Sequence, residues 1–327
     1  MDYAMLVFTA LVFPGLLFLF VFSLLVEYAL RKVVARMQRR MGPSYTGPAG
    51  VLQPFADFFK LIRDKEVVAN RYSMPRLAES LLALGISSLV VAALFLPLNP
   101  YTVSAPFDFF IYMYLCCVVS PLLLLFASLS MPGPYTVVGV SRILSFITVC
   151  EPAYFTSLLI PVVLSSGVEP AYSIYATSRS VYVYWANPFT APLMALSLVS
   201  SLVILQARAM LNPFNIPEAE QEIIAGFETE FSGPLLGLAR LLHDIEYSVT
   251  MLSIVYLVLG GPYPYPHLSV QGLALLAGKL ALVFLASGLL RASTGRLRVE
   301  QALDVMAKYS LAPSLVGVVL ASIYALH

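Results

Sequence analysis

Charge is what this sequence has least of. Only 11% of its 327 residues are Asp, Glu, Lys or Arg, against roughly 25% in a soluble globular chain. With 59% hydrophobic residues, the composition argues against a soluble domain and for an integral membrane protein. A net charge of +1 without any basic domain leaves nothing to bind nucleic acid. Cysteine is scarce as well. Cys116, Cys117 and Cys150 all lie in apolar runs, without metal-ligand spacing and without a nearby His. They read as small buried hydrophobes, so no iron–sulfur or zinc site of the chain's own is visible. The first apolar run has no basic segment before it, and Leu6 to Val26 is long enough to span. It reads as a first transmembrane helix and not a cleaved leader.

What the chain does have is long apolar runs. A spanning helix needs roughly 20 apolar residues, and eight stretches qualify: about 4–28, 77–97, 107–130, 138–165, 188–211, 236–260, 268–290 and 306–326. The expected fold class is an all-α integral membrane protein, one polytopic domain over residues 1–327, with about eight transmembrane helices. Lys and Arg set the topology. Ten lie between spans one and two, Arg142 lies between three and four, and Arg208 and Arg240 between five and six. Arg291, Arg296, Arg298 and Lys308 follow span seven, whereas the opposite side has only Arg179. Connections at about 31–76, 131–142, 208–240 and 291–305 are therefore expected in the cytoplasm, with both termini outside. In the first of these, Val51, Phe55, Phe58, Phe59 and Ile62 recur at helical spacing, with Asp57, Lys60 and Asp64 elsewhere on the wheel. That pattern predicts a cytoplasmic-side amphipathic helix at the membrane surface or against a partner.

The densest polar feature is the connection from Asn212 to Gly233. It holds Glu218, Glu220, Glu222, Glu228 and Glu230, with no Lys or Arg between Arg208 and Arg240. Ionised carboxylates crowded between two apolar spans are costly unless water, a partner or a proton relieves them. Glu218 and Glu222 are spaced i, i+4 and would share a helix face, with Glu220 pointing away. Like charges so close titrate as a group. Span four carries Glu151 at intramembrane depth, where a functional role is the default. His243, Asp244 and Glu246 form a polar turn that opens span six. Lys279, near the middle of span seven, calls for a carboxylate partner, with Glu151 and Glu246 the candidates. The fourth connection, with four Tyr and the lone Trp, reads as an interfacial aromatic belt.

These stretches together resemble the H-type membrane-subunit family of respiratory complex I and its relatives, the membrane-bound [NiFe] hydrogenases and sulfur reductases. Three motifs carry the likeness. The first runs from Gln38 to Asp57, with Gly42-Pro43, Gly47-Pro48, Gly50, Leu52-Gln53 and then Lys60. The second is Pro213-Phe214-Asn215-Ile216-Pro217-Glu218-Ala219-Glu220-Gln221-Glu222, continuing to Glu228-Thr229-Glu230-Phe231-Ser232-Gly233. The third is Arg291-Ala292-Ser293 with Arg296, Arg298 and Glu300-Gln301.

The resemblance implies a non-catalytic membrane subunit that couples electron transfer in a peripheral iron–sulfur arm to proton or sodium translocation in a prokaryotic-type cell membrane. Carried over by position, Glu151, Glu218, Glu220, Glu222, Glu228 and Glu230 would form its carboxylate chain, extended by Asp244, Glu246, Glu27 and Lys279. Arg36, Arg39, Arg40, Asp57, Lys60, Arg291, Arg296 and Arg298 would dock the hydrophilic iron–sulfur and catalytic subunits. Antiporter-like and small membrane subunits and lipid would surround it. Iron–sulfur clusters, and nickel–iron where present, would sit in the partners.

Departures from the quinone-reducing members are visible. Leu30 stands where Glu usually precedes the basic pair Arg31-Lys32, and Glu27 lies three residues earlier as a substitute. Ser44 replaces an Asn, Pro-Ala-Tyr follows Glu151, and Phe231 and Pro234 flank Ser232-Gly233. They point to the ferredoxin-linked hydrogenase or sulfur-reductase branch, with a quinone-site-forming subunit as the alternative. A stand-alone secondary transporter is the alternative of another class. It would show internal repeats with paired broken helices, and the proline-rich break at 212–217 has no counterpart in the first half.

Overall fold

The structure, a computed structural model, describes residues 3–98, 105–168, 171–218, 220–267 and 269–326. Among the described residues, eight helices are long and apolar enough to cross a membrane. They are α1 (Val7–Met37), α3 (Pro75–Leu94), α4 (Asp108–Leu129), α5 (Pro134–Leu164), α7 (Ala191–Arg208), α8 (Pro234–Val258), α9 (Val270–Ser293) and α10 (Val299–Leu326). Among the described residues, two further helices of more than one turn lie between them: α2 (Gln53–Arg63) and α6 (Ile174–Ala186). α8 is the centre of the bundle. Of its apolar window 89% is buried inside the protein, against 17% for α9 and 22% for α10. α9 and α10 therefore expose long apolar faces to lipid or to neighbouring subunits.

The amphipathic helix expected after the first span is α2, and its aromatic face has a specific seat. Phe55, Phe58 and Phe59 surround the Phe20 ring of α1 with centroid separations of 6.1, 5.1 and 6.4 Å. Its other neighbour is α8, where Leu61 and Ile62 lie over Gly237. The helix is held by the bundle itself and leaves Lys60 outward. α1 is interrupted once, at Phe13-Pro14-Gly15, where proline removes a helical donor. A Cβ on Gly15 would fall 1.8 Å from the Ala10 carbonyl oxygen, so only glycine fits.

Two features differ from the sequence expectation. The fourth connection is not merely an aromatic belt, because it contains α6. That helix is capped in trans by Asp108, a fully buried residue at the start of α4. Its carboxylate accepts from the Ile174 amide at 2.7 Å and from the Ser173 hydroxyl at 3.0 Å. The Trp185 indole then donates to the Val258 carbonyl at 2.7 Å. Lys279 also does not pair with Glu151 or Glu246. Its ammonium donates to the backbone carbonyls of Leu259, Gly261 and Tyr263 at 2.6, 2.8 and 3.2 Å. α8 ends there in a π-turn followed by two positive-φ glycines, and the reversal leaves carbonyls without helical partners.

The connection from Ala209 to Gly233 is packed into the protein, not looped into solvent. Phe214, Ile216, Phe227 and Phe231 are buried. Its short turn Gly226–Glu228 presses on α5 at Gly139, where a Cβ would come within 2.3 Å of the Phe227 amide nitrogen. Gly139→Ala should force the turn outward and lower stability by about 1–3 kcal/mol, as overpacking does. An unchanged thermal unfolding midpoint in detergent would contradict this contact.

Candidate functional site

The site is assembled by the early end of α7. That helix stops at Arg208, so the guanidinium sits well inside the bundle, with the packed connection beyond it. Arg208 is 4% exposed. Its Nη1 donates to the Glu151 carboxylate and its Nη2 to the Glu246 carboxylate, both at 2.7 Å. Glu151 is the eighteenth residue of α5 and Glu246 the thirteenth of α8, about 26 and 18 Å along their axes. A buried ion pair is tolerable only with good geometry and further hydrogen bonds. Here the guanidinium plane also stacks on Tyr154, 4.3 Å from the ring centroid. The Tyr154 hydroxyl is within 2.7 Å of Ser253 Oγ and 3.0 Å of the Tyr112 hydroxyl.

A third oxygen reaches Arg208 through a local irregularity. Residues Tyr114–Val119 of α4 form a π-turn, and the Ser120 amide bonds to Leu115 instead of Cys116. The next residue, Pro121, has no amide hydrogen to offer. The Cys116 carbonyl is thus left without a backbone partner, and Arg208 Nη2 donates to it at 2.9 Å. Pro152, directly after Glu151, similarly removes an amide from α5 next to the carboxylate.

Ala209 to Asn212, immediately after Arg208, wall a cavity of about 350 Å³. Its lining brings together Glu27 and Arg31 of α1, Glu218, Asn215 and Glu228 of the connection, Arg240, His243, Asp244 and Tyr247 of α8, and Arg291 of α9. Glu27 pairs with Arg31 and lies against Asp244. Tyr247 donates to Ser287 Oγ at 2.8 Å, and Gln206 donates to the same oxygen at 2.7 Å. Burial, with Glu218 alongside, pushes the Glu228 carboxyl up to about 8, although Arg240 opposes this.

Not every residue expected at the site is there. Glu218 and Glu222 do not share a helix face, because the helix between them is a single turn, Glu220–Ile223. Pro217 precedes it, and the positive-φ residues Ile224 and Gly226 end it. Glu218 faces the cavity, whereas Glu222 turns to Arg142 at 2.7 Å and to Arg296. The hydrogen bond from Arg142, with the charges of Arg296 and Arg298, holds the Glu222 carboxylate below its usual range. Glu230 lies over Gly133, away from the cavity. The side chain of Glu220 lies outside the described residues. Lys279 sits at the opposite end of the bundle with the 259–263 carbonyls. Of the expected docking residues, Arg36, Arg39, Arg40, Lys60, Arg296 and Arg298 are exposed. Arg291 faces the cavity, and Asp57 accepts from Arg31 and Gln53 at 3.3 and 2.8 Å.

Arg208, the centre of this buried group, reads in the sequence only as a loop charge. A lone arginine between apolar stretches, beside Gln206 in a span ending early, was its signal. These features define a polytopic membrane protein with a charged cavity leading to a buried carboxylate–guanidinium–carboxylate group. Residues 9–322 match the family model described as NADH dehydrogenase, and the chain belongs to that family, the H-type membrane subunits that its motifs resemble. The family's members are parts of oxidoreductase complexes, so this chain is a subunit of one. The fold is similar to that of a chain in the membrane-bound sulfane sulfur reductase, an archaeal respiratory membrane complex. The TM-score is 0.78 at 23% identity, over 94% of this chain and 96% of that one.

Arg208→Met should leave two buried carboxylates unpaired, a loss of about 3–5 kcal/mol, and the protein should fail to accumulate in membranes. Adding Glu151→Gln should restore part of the level on immunoblots. Full accumulation of the single variant would contradict the triad. In metal-free buffer, Glu228 should keep its proton at neutral pH and lose it as pH rises through about 8. Because the folded value is raised from 4.5 to about 8, the stability it contributes falls as pH rises from about 4.5 to about 8 and levels off above that. The infrared carboxyl band should fade there in the wild type and show no such step in Glu228→Gln.

Proposed function

We propose that this chain is the coupling subunit of a complex I-like, redox-driven ion pump, on the ferredoxin-linked hydrogenase or sulfur-reductase branch. The observation that carries the reading is the conjunction of a cavity lined by four carboxylates with a buried Glu151–Arg208–Glu246 group directly behind its wall. One guanidinium balances one carboxylate. A proton on either Glu151 or Glu246 makes the group neutral, and its departure leaves one uncompensated negative charge in a low-dielectric setting. Proton occupancy at such a place responds to a charge change nearby, which is what coupling to a redox centre requires.

In this reading Glu27, Glu218, Glu228 and Asp244 gather protons in the cavity, and Glu246 and Glu151 take them inward along Arg208. Glu220 extends the set by family position. Glu222 and Glu230 hold the connection in place, and Lys279 fastens the far end of α8 to α9. A lining of carboxylates and guanidinium groups suits water and protons better than an apolar ring, since small-molecule pockets are mostly apolar. The exposed Arg36, Arg39, Arg40, Lys60, Arg296 and Arg298 form the docking face for hydrophilic iron–sulfur subunits on the cytoplasmic side. The termini then lie outside. Antiporter-like subunits would cover part of the apolar flanks.

Glu151→Gln and Glu218→Gln should each assemble into the complex and uncouple electron flow from ion pumping in inverted vesicles. Wild-type pumping stoichiometry in both variants would overturn the reading.

A further inference from the structure

One group of side chains in the cavity wall has the chemistry of a metal site. The ligating atoms of Glu218, Glu228 and His243 all lie within 4.8 Å of one another. Neither ring nitrogen of His243 meets a protein hydrogen-bond partner, although both are buried. A neutral imidazole carries one donor and one acceptor, so both are left unmet by the protein. Glu228 is 9% exposed, and its Oε1 is likewise buried without a protein partner. The Oδ1 of Asn215, on the same cavity, is a further buried acceptor without one. Phe227 sets its ring edge-on to the imidazole at 5.7 Å and fixes the plane of His243.

We propose that Glu218, Glu228 and His243 form a binding site for a divalent cation of the zinc class. Zinc takes both imidazole nitrogen and carboxylate oxygen as ligands, and a set of three protein ligands leaves a fourth position open to water. The cavity supplies that water. Ligand atoms around a tetrahedral zinc ion stand about 3.3–3.6 Å apart, so closure needs roughly 1 Å of side-chain adjustment from the separations here. Two carboxylates and a neutral imidazole make a neutral cluster with a divalent ion, which removes like-charge crowding of Glu218 and Glu228. The imidazole nitrogen selects against magnesium, calcium and sodium, which take oxygen ligands. The ligands stand ten and fifteen positions apart in sequence, a spacing without a recognisable signature. They meet because the turn Gly226–Glu228 is pressed back between α5 and α8. On the coupling role, an ion there would withdraw two carboxylates from proton exchange, but binding itself does not depend on that role.

The test uses the purified intact complex, stripped with chelator and titrated with zinc chloride in excess magnesium. The wild type should take up one zinc per copy of this chain that His243→Ala loses, with affinity down by 100-fold or more. Loss of an outer partner alone costs about 10–100-fold. Zinc-edge anomalous density should fall between Glu218, Glu228 and His243. Should His243→Ala fail to assemble, His243→Gln and Glu228→Gln should show the same loss, and cobalt loaded into the wild type should give the visible bands of a nitrogen–oxygen site. Undiminished zinc uptake by the assembled variants, anomalous density elsewhere, or cobalt with only its aqueous spectrum would overturn the proposal.

Discussion

One guanidinium, that of Arg208, holds the middle of this protein together. It ties α7 to α5 and α8 through two carboxylates, to α4 through a backbone carbonyl, and to Tyr154 through its face. Desolvating three charges is expensive, and only near-complete satisfaction of the donors makes it tolerable. That requirement orders its surroundings. α7 has to stop early to bring Arg208 to depth, the connection after it has to pack inside the bundle, and α4 has to surrender a helical hydrogen bond.

The packed connection follows from the same need. With α7 ended at Arg208, the space above it is filled by Phe214, Ile216, Phe227 and Phe231 instead of by helix. Irregular backbone at membrane depth survives only where protein or a water-filled cavity receives its polar groups. Both conditions hold here. Gly139 lets the 226–228 turn touch α5, and the Leu297 amide bonds to the Pro213 carbonyl at 3.0 Å. Where the connection does not fill space, the cavity opens, and the carboxylates face into it.

The spans were legible in the sequence because run length and apolarity are local properties; helix ends fell within four residues of expectation, except that α1 runs on nine residues to Met37 through its basic end and α10 begins seven residues early, at Val299. The acidic connection was legible for the same reason. Its internal geometry was not. An i, i+4 spacing implies a shared face only on a continuous helix, and two positive-φ residues ended this one after a single turn. Lys279 was misjudged because charge pairing considers side chains, whereas its partners are carbonyls freed by a chain reversal. His243 and Glu228 meet only through the folding back of that turn, which no spacing encodes.

The π-turn in α4 has a consequence for register. It places one residue more in that turn than an α-helix holds, and one residue is about 100° of rotation. Everything in α4 after Val119 is therefore turned by that amount relative to what precedes it. Shortening Tyr114–Val119 by a single residue would swing the Ser120–Leu129 side chains onto different neighbours. The arginine's third acceptor thus depends on the phase of a helix and on the proline that follows the π-turn, not on any polar side chain.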